Sequence, residues 1–149
     1  MLFIRALISF LVLPGVVGFL VPALLAPPAS VRTFHAIGAV PPVAGIVLLL
    51  WCVYEFYVAG RGTLAPWDPP RHLVVSGPYR YSRNPMYVGV ALILIGWAMA
   101  FATRALWVYA LFVSVAFHLR VVLAEEPWQA RTFPDEWDRY KARVPRWLF

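Results

Sequence analysis

The sequence predicts an all-α integral membrane protein, a bundle of four transmembrane helices followed by a C-terminal amphipathic helix. Hydrophobic residues make up 62% of the 149 residues and the mean hydropathy is +0.71. Charged residues make up only 13%, too few to cover a water-soluble globule, which is roughly a quarter charged. Four apolar runs also approach the ~20 residues with which an α-helix crosses a hydrocarbon core. The length suits a single domain, residues 1–149.

The four runs follow one another along the first 123 residues. They cover about 2–25, 37–59, 86–101 and 106–123. The first run has Arg5 and small residues near Ala26, as a signal peptide would, but its apolar stretch exceeds the ~7–15 residues of such a peptide. Pro14 and Pro22 interrupt it, and a membrane helix tolerates such prolines. We therefore expect a retained, kinked transmembrane helix.

Basic residues are concentrated in two segments. The second loop carries Arg61, Arg71, Arg80 and Arg83, and the tail carries Arg131, Arg139, Lys141, Arg143 and Arg146. The other two loops carry only Arg32 and Arg104. Because cytoplasmic loops are enriched in Lys and Arg, we expect the second loop and both termini to lie in the cytoplasm.

The tail segment FPDEWDRYKARVPRWLF is too polar to span a membrane. Asp135 and Glu136 directly after Pro134 suit a helix N-terminus. Its apolar residues recur at spacings of three and four, which is typical of an amphipathic helix on a membrane face. These residues are Phe133, Trp137, Tyr140 and Val144. We expect this helix to end at Pro145 and to close over the cytoplasmic side.

The second loop ends in a polar, aromatic and basic stretch, GPYRYSRNPMYVG, residues 77–89. Pro85 suits the first turn of the third helix, and Asn84 is a candidate N-cap. Arg83, Asn84 and Tyr87 would then lie at a positive helix end, which favours anions. Arginines and tyrosines also serve as interfacial anchors, and this alternative stays open for each residue singly.

A second polar group, FHLRVVLAEEPW, follows the fourth apolar run. It contains His118, Arg120, Glu125 and Glu126, and ionisable residues near membrane depth usually pair or line a polar cavity. The adjacent glutamates point in different directions on a helix, so a carboxylate dyad is not expected. Both glutamates being solvated at the water boundary is the alternative. For Glu55, late in the second run, we expect a local pair with an arginine.

These segments together resemble a known family. The order GRGTLAPWDPP, LVVSGPYRYSRNPMYVG, EE and FPDEWDRYKARVPRWL is similar to the isoprenylcysteine carboxyl methyltransferases and to the related phospholipid N-methyltransferases. The resemblance covers residues 60–149, and Asn84-Pro85 is a variant typical of bacterial members. It implies a multi-pass methyltransferase of the bacterial inner membrane that uses S-adenosylmethionine and acts on a lipophilic acceptor.

The resemblance also implies site residues. The cofactor-binding set would be Arg71, His72, Leu73, Val74, Tyr79, Arg83, Asn84, Pro85, Met86, Tyr87 and Glu125. The family has a substrate-binding arginine four residues before the glutamate. Here that position is Val121, and the arginine is Arg120. Arg120, Glu126 and His118 are the catalytic candidates, the last two as bases for an amine acceptor.

Other functions are less well supported by the sequence. A methyl acceptor such as a carboxylate needs no general base, and we expect no metal site and no nucleic-acid partner. The lone Cys52 excludes an internal disulfide. Two alternatives stay open, an NADPH-dependent reductase of the sterol type and a non-enzymatic membrane scaffold.

Overall fold

The computed structural model describes residues 11–26, 35–59 and 72–148, and within these ranges the chain is helical and has no strand. Helix α1 is a π-type stretch, Leu11–Leu20, followed by the α-helical turn Val21–Leu25. Helix α2 enters through the 3-10 turn Ala36–Ala39 and covers Val40–Val58. A 3-10 turn, Gly77–Arg80, precedes α3, Pro85–Phe101. Helix α4, Arg104–Arg120, continues through the π-type turn Val121–Glu125 into Glu126–Thr132, and α5 is Pro134–Lys141.

Two of these helices are long and apolar enough to cross a membrane. They are Ala36–Val58, with 23 residues, and Arg104–Thr132, with 29 residues. In each, only 22% of the most apolar 18-residue stretch is buried inside the protein, so its apolar residues face outward. Pro14–Leu25 and Pro85–Phe101 are apolar but shorter. The all-helical class is therefore confirmed for the described residues, with two candidate membrane spans, whereas four complete spans stay a prediction.

Helix α3 packs closely against α2 because glycines line the contact. A Cβ added to Gly96 on α3 would overlap the Pro42 ring, and one added to Gly45 on α2 would overlap the Gly89 carbonyl. Small residues allow such close helix approach in membrane proteins. The core beside this contact consists of Leu49, Val90, Ile93, Leu94, Ala110 and Val113.

The tail helix α5 docks through the face that the sequence predicted. Trp137, Tyr140 and Val144 are buried together, with Leu73 packed against them, and Phe133 is half-buried. The predicted end at Pro145 was wrong, since α5 ends at Lys141. The amides of residues 143 and 144 both turn back to the Tyr140 carbonyl, which closes the helix earlier.

Candidate functional site

The N-terminus of α3 is tied to the C-terminal segment. Pro85 is the first residue of the helix and Asn84 occupies the N-cap position, as predicted. The Asn84 side chain makes no capping hydrogen bond, which corrects the sequence prediction. Its Nδ2 instead donates to the Arg146 carbonyl oxygen at 3.0 Å, and the Ser82 hydroxyl donates to the same oxygen at 3.3 Å. The Arg83 amide donates to the Pro145 carbonyl at 2.9 Å. Three groups therefore hold residues 145–146, the C-terminal strap.

Tyr87, Glu125 and Arg120 form one polar cluster between α3 and α4. The Tyr87 hydroxyl donates a short hydrogen bond to Glu125 Oε1. Arg120 Nε donates to the same oxygen at 2.8 Å. The Tyr87 ring lies 4.5 Å from the Phe117 ring, centroid to centroid, which fixes its orientation. The Glu125 side chain is 30% exposed, so an incoming ligand can reach it.

The π-type turn in α4 explains why Arg120 reaches Glu125. In an α-helix a residue faces positions three and four away, whereas these two residues are five apart. The widened turn Val121–Glu125 inserts the extra residue, and such turns are frequent at functional sites. Val121 is fully buried, and the guanidinium of Arg120 occupies the side of α4 that faces the glutamate.

Glu126 belongs to a different cluster. Both of its oxygens accept from Arg146, through Nε and Nη2 at 2.8 Å each, and Oε1 also lies 3.0 Å from Arg83 Nη1. The Arg83 guanidinium lies 5.3 Å above the Trp137 ring centroid, a cation–π contact. The two glutamates therefore diverge as predicted and do not form a dyad. Glu126 joins the second loop, α4 and the strap.

A cleft opens beside Arg83, between the second loop and the tail. Its lining residues are Phe56, Leu73, Val74, Tyr79, Arg83, Trp128, Gln129, Phe133 and Tyr140. Its volume is ≈ 30 Å³, room for little more than water. The Arg83 side chain is only 10% exposed, and among the described residues its Nε has no hydrogen-bond partner. Burial lowers the Arg83 pKa, while the Glu126 carboxylate opposes that shift.

Two buried tyrosines form the wall of this cleft. The Tyr140 hydroxyl donates to the Tyr79 carbonyl at 2.7 Å. Burial raises the pKa of both phenols, and the neighbouring Cys52 adds to the shift at Tyr79. Both phenols therefore stay neutral at physiological pH.

Comparison with known proteins decides the family. The profile of the phospholipid methyltransferase family matches residues 33–136, more than half of the chain. The chain belongs to the phospholipid methyltransferase family. The chain is also 30% identical over 63 residues to an uncharacterized protein of Haemophilus influenzae. The matched segment covers 42% of this chain and 100% of that protein. No solved structure matches.

The predicted cofactor residues of this phospholipid methyltransferase family member fall into three groups. Leu73, Val74, Tyr79 and Arg83 line the cleft. Asn84, Pro85, Met86 and Tyr87 form the start of α3, where Tyr87 meets Glu125. His72 is exposed, and Arg71 lies outside the described residues.

The three catalytic candidates differ in their contacts. Arg120 contacts Glu125, and Glu126 contacts Arg83 and Arg146. His118 Nδ1 accepts from the Trp147 indole N–H at 3.3 Å. Each candidate therefore has a different partner.

Sequence reasoning missed residues that the fold brings to this family member's site. Arg146 was counted only as a positive charge, and Tyr140 and Trp137 only as an apolar face. Gln129 and Trp128 carried no signal beyond their place after the glutamates. The Arg146 partner lies 20 residues away, and only the docking of the tail reveals it.

Proposed function

We propose that this protein is an S-adenosylmethionine-dependent membrane methyltransferase that modifies a lipophilic acceptor arriving from the bilayer. The observation that carries the proposal is the Tyr87–Glu125–Arg120 cluster. Its Glu125 is the chain neighbour of Glu126, which pairs with Arg83 in the cleft wall. Membership of the phospholipid methyltransferase family supports methyl transfer over the reductase and scaffold alternatives.

The charged groups around the cleft suit S-adenosylmethionine, which supplies a methyl group activated by a sulfonium. Its amino-acid part carries one positive and one negative charge. The partly exposed Glu125 carboxylate suits the ammonium, and the unpartnered Nε of Arg83 suits the carboxylate. Because the cleft volume is small, the remaining parts of the cofactor would extend out of it, along Leu73 and Val74.

The residues around the cleft would act by holding and shielding the reactants. Aromatic rings at Tyr79, Tyr140 and Trp128 favour a cation by ~0.5–2 kcal/mol. Fixing donor and acceptor in line can contribute ~7–11 kcal/mol, which removes the need for an elaborate catalytic set. The tail helix and strap would exclude water from the reacting groups.

The contacts of the candidate bases favour an acceptor that is already a nucleophile. Both oxygens of Glu126 are held by arginine, and His118 Nδ1 accepts from the Trp147 indole N–H. Both candidate bases are therefore already engaged by a donor. We therefore propose a carboxylate acceptor of the isoprenylcysteine type, with a phospholipid amine as the alternative that the family name suggests. Arg120, 53% exposed, would bind the anionic group of either lipid.

The site must face the side of the membrane from which the cofactor arrives. We propose a multi-pass protein of the bacterial inner membrane with both termini in the cytoplasm. The cleft and the strap then face the compartment that supplies the cofactor. Residues 1–149 act as one domain, and residues 60–149 contain the cofactor-binding half.

The acceptor can be decided by the chemical stability of the product. Purified protein would receive methyl-labelled S-adenosylmethionine with either an isoprenylated cysteine bearing a free carboxylate or vesicles of phosphatidylethanolamine. A methyl ester releases volatile label in alkali, whereas an N-methyl group does not. We expect alkali-labile label from the first acceptor. Alkali-stable label from the second would contradict the carboxylate and establish the amine.

A further inference from the structure

Glu55, near the C-terminal end of α2, connects this helix to the loop that leads into the site. Its Oε1 accepts from the Trp51 indole N–H at 3.1 Å, one helical turn earlier. Its Oε2 accepts a short hydrogen bond from the Ser76 hydroxyl, 21 residues later. The sequence predicted a local pair of Glu55 with an arginine, and Arg61, the nearest one, lies outside the described residues. A half-buried carboxylate on an apolar helix is expensive, so these contacts indicate a specific task.

The next residue, Gly77, fits against the same carboxylate. Its φ is +56°, a left-handed conformation that side chains other than glycine rarely adopt. A Cβ at this position would lie 2.5 Å from Glu55 Oε1. The turn is therefore shaped around the Glu55 carboxylate on two sides, by a hydrogen bond at Ser76 and by close approach at Gly77.

This turn sets the position of Tyr79. Gly77–Arg80 is a 3-10 turn in which the Tyr79 amide donates to the Ser76 carbonyl at 3.1 Å. Two further residues on α2 hold Tyr79 itself. Cys52 is buried in one apolar cluster with it, and the Phe56 ring meets its ring edge-on at 5.5 Å. Because residues three and four apart share a helix face, Cys52, Glu55 and Phe56 act together.

We infer that Glu55 is a positioning residue, whose carboxylate fixes the Ser76–Gly77 turn and thereby places Tyr79 and the cleft wall for ligand binding. This inference rests on the proposed function, because the ligand of the cleft is the cofactor. Glu55 does not line the cleft and would act only through the turn. Removing its carboxylate should loosen the turn and weaken binding about tenfold, equivalent to ~1.4 kcal/mol.

The experiment measures two properties of the same detergent-purified samples. Calorimetry gives the Kd for S-adenosylhomocysteine, and hydrogen exchange with mass spectrometry follows the peptide that contains residues 76–81. The variants are Glu55→Ala, Glu55→Gln, Ser76→Ala and the double variant Glu55→Ala with Ser76→Ala. Leu106→Ala is the stability control, because Leu106, near the start of α4, is 1% exposed and does not line the cleft.

We expect Glu55→Ala to raise the Kd about tenfold and to speed exchange in residues 76–81. Glu55→Gln keeps an acceptor oxygen and should recover part of both effects. The double variant should be no worse than Glu55→Ala alone, since the two residues share one interaction. Leu106→Ala should lower the thermal midpoint without changing the Kd or the local exchange.

Other outcomes separate the two proposals. If the wild type binds no S-adenosylhomocysteine, the proposed function fails, and the exchange data still decide the role of Glu55. Unchanged exchange in Glu55→Ala and Ser76→Ala would overturn the inference. So would a Kd that shifts equally in Glu55→Ala and Leu106→Ala, because loss of stability alone would then explain the effect.

Discussion

Glu125 and Glu126 are neighbours in the chain, yet their carboxylates have different surroundings. Glu125 is partly exposed and is held on one oxygen by Tyr87 and Arg120. Glu126 is 15% exposed and is engaged on both oxygens. The second carboxylate oxygen of Glu125 can still accept from a ligand, whereas both oxygens of Glu126 already accept from Arg146, which suits a structural joint.

Replacing Tyr87 with Phe tests whether Glu125 binds the ligand. The Phe117 contact stays, but Glu125 loses a donor, and hydrogen bonds to charged groups contribute ~1.5–3 kcal/mol. We expect S-adenosylhomocysteine to bind about tenfold more weakly in calorimetry. Tyr81→Phe is the matched control, because Tyr81 is 71% exposed. Equal affinities in both variants would argue against a binding role for Glu125.

Replacing Arg146 tests whether Glu126 acts as a structural joint. Arg146→Ala breaks the bidentate pair with Glu126, while Arg146→Lys keeps the charge and loses the fork geometry. Because Arg146 is 36% exposed, the effect is moderate, and we expect the thermal midpoint to fall by ~2–4 °C in the alanine variant. Lysine should recover less than half of the loss. An unchanged midpoint in both variants would show that the strap is held by its backbone contacts alone.

At the scale of helices, irregular turns and small residues place the site. The π-type turn Val121–Glu125 directs Arg120 toward Glu125, and the short turn Gly77–Arg80 presents Tyr79 to the cleft. The glycines of α2 and α3 bring Glu55 and the start of α3 close to the same loop. A regular helix or a bulkier contact would separate these groups.

Glycine substitutions test the close contact of α2 and α3. Gly96→Ala inserts a methyl group into the Pro42 ring, and overpacking of this kind costs ~1–3 kcal/mol. We expect a clearly lower thermal midpoint in detergent. Gly15→Ala on α1 is the control, because a Cβ there meets nothing within 4 Å. Comparable midpoints for the two variants would show that the helices separate more easily than the packing indicates.

At the scale of the whole molecule, the orientation can be tested with single cysteines. Cys52 is fully buried and should stay silent toward a membrane-impermeant thiol reagent. Arg143→Cys, on the exposed tail, should react only when the cytoplasmic face is open. Ala105→Cys, exposed at the start of α4, should react from the opposite side. Labelling of both positions from one side would contradict the proposed four-span topology.

The sequence predicted the helices well and the site only in part. The apolar runs of α2 to α4 and the buried face of α5 follow from hydropathy and spacing, which are local properties. Asn84 was placed at the helix start, but its partner, the Arg146 carbonyl, comes from 62 residues later. Likewise, no residue near Glu55 in the sequence indicates that Ser76, 21 residues later, is its hydrogen-bond partner. Contacts between distant segments depend on how the tail and loop dock, and a single sequence does not contain that information in local form.

The most direct test of the central claim is the binding of S-adenosylhomocysteine to the purified wild-type protein and to Glu125→Ala, followed by calorimetry. We expect saturable binding to the wild type and at least tenfold weaker binding to a variant that remains folded. Absence of binding to a wild-type protein with a normal thermal transition would contradict it, and the cluster at Tyr87 and Glu125 would then serve only to join α3 to α4.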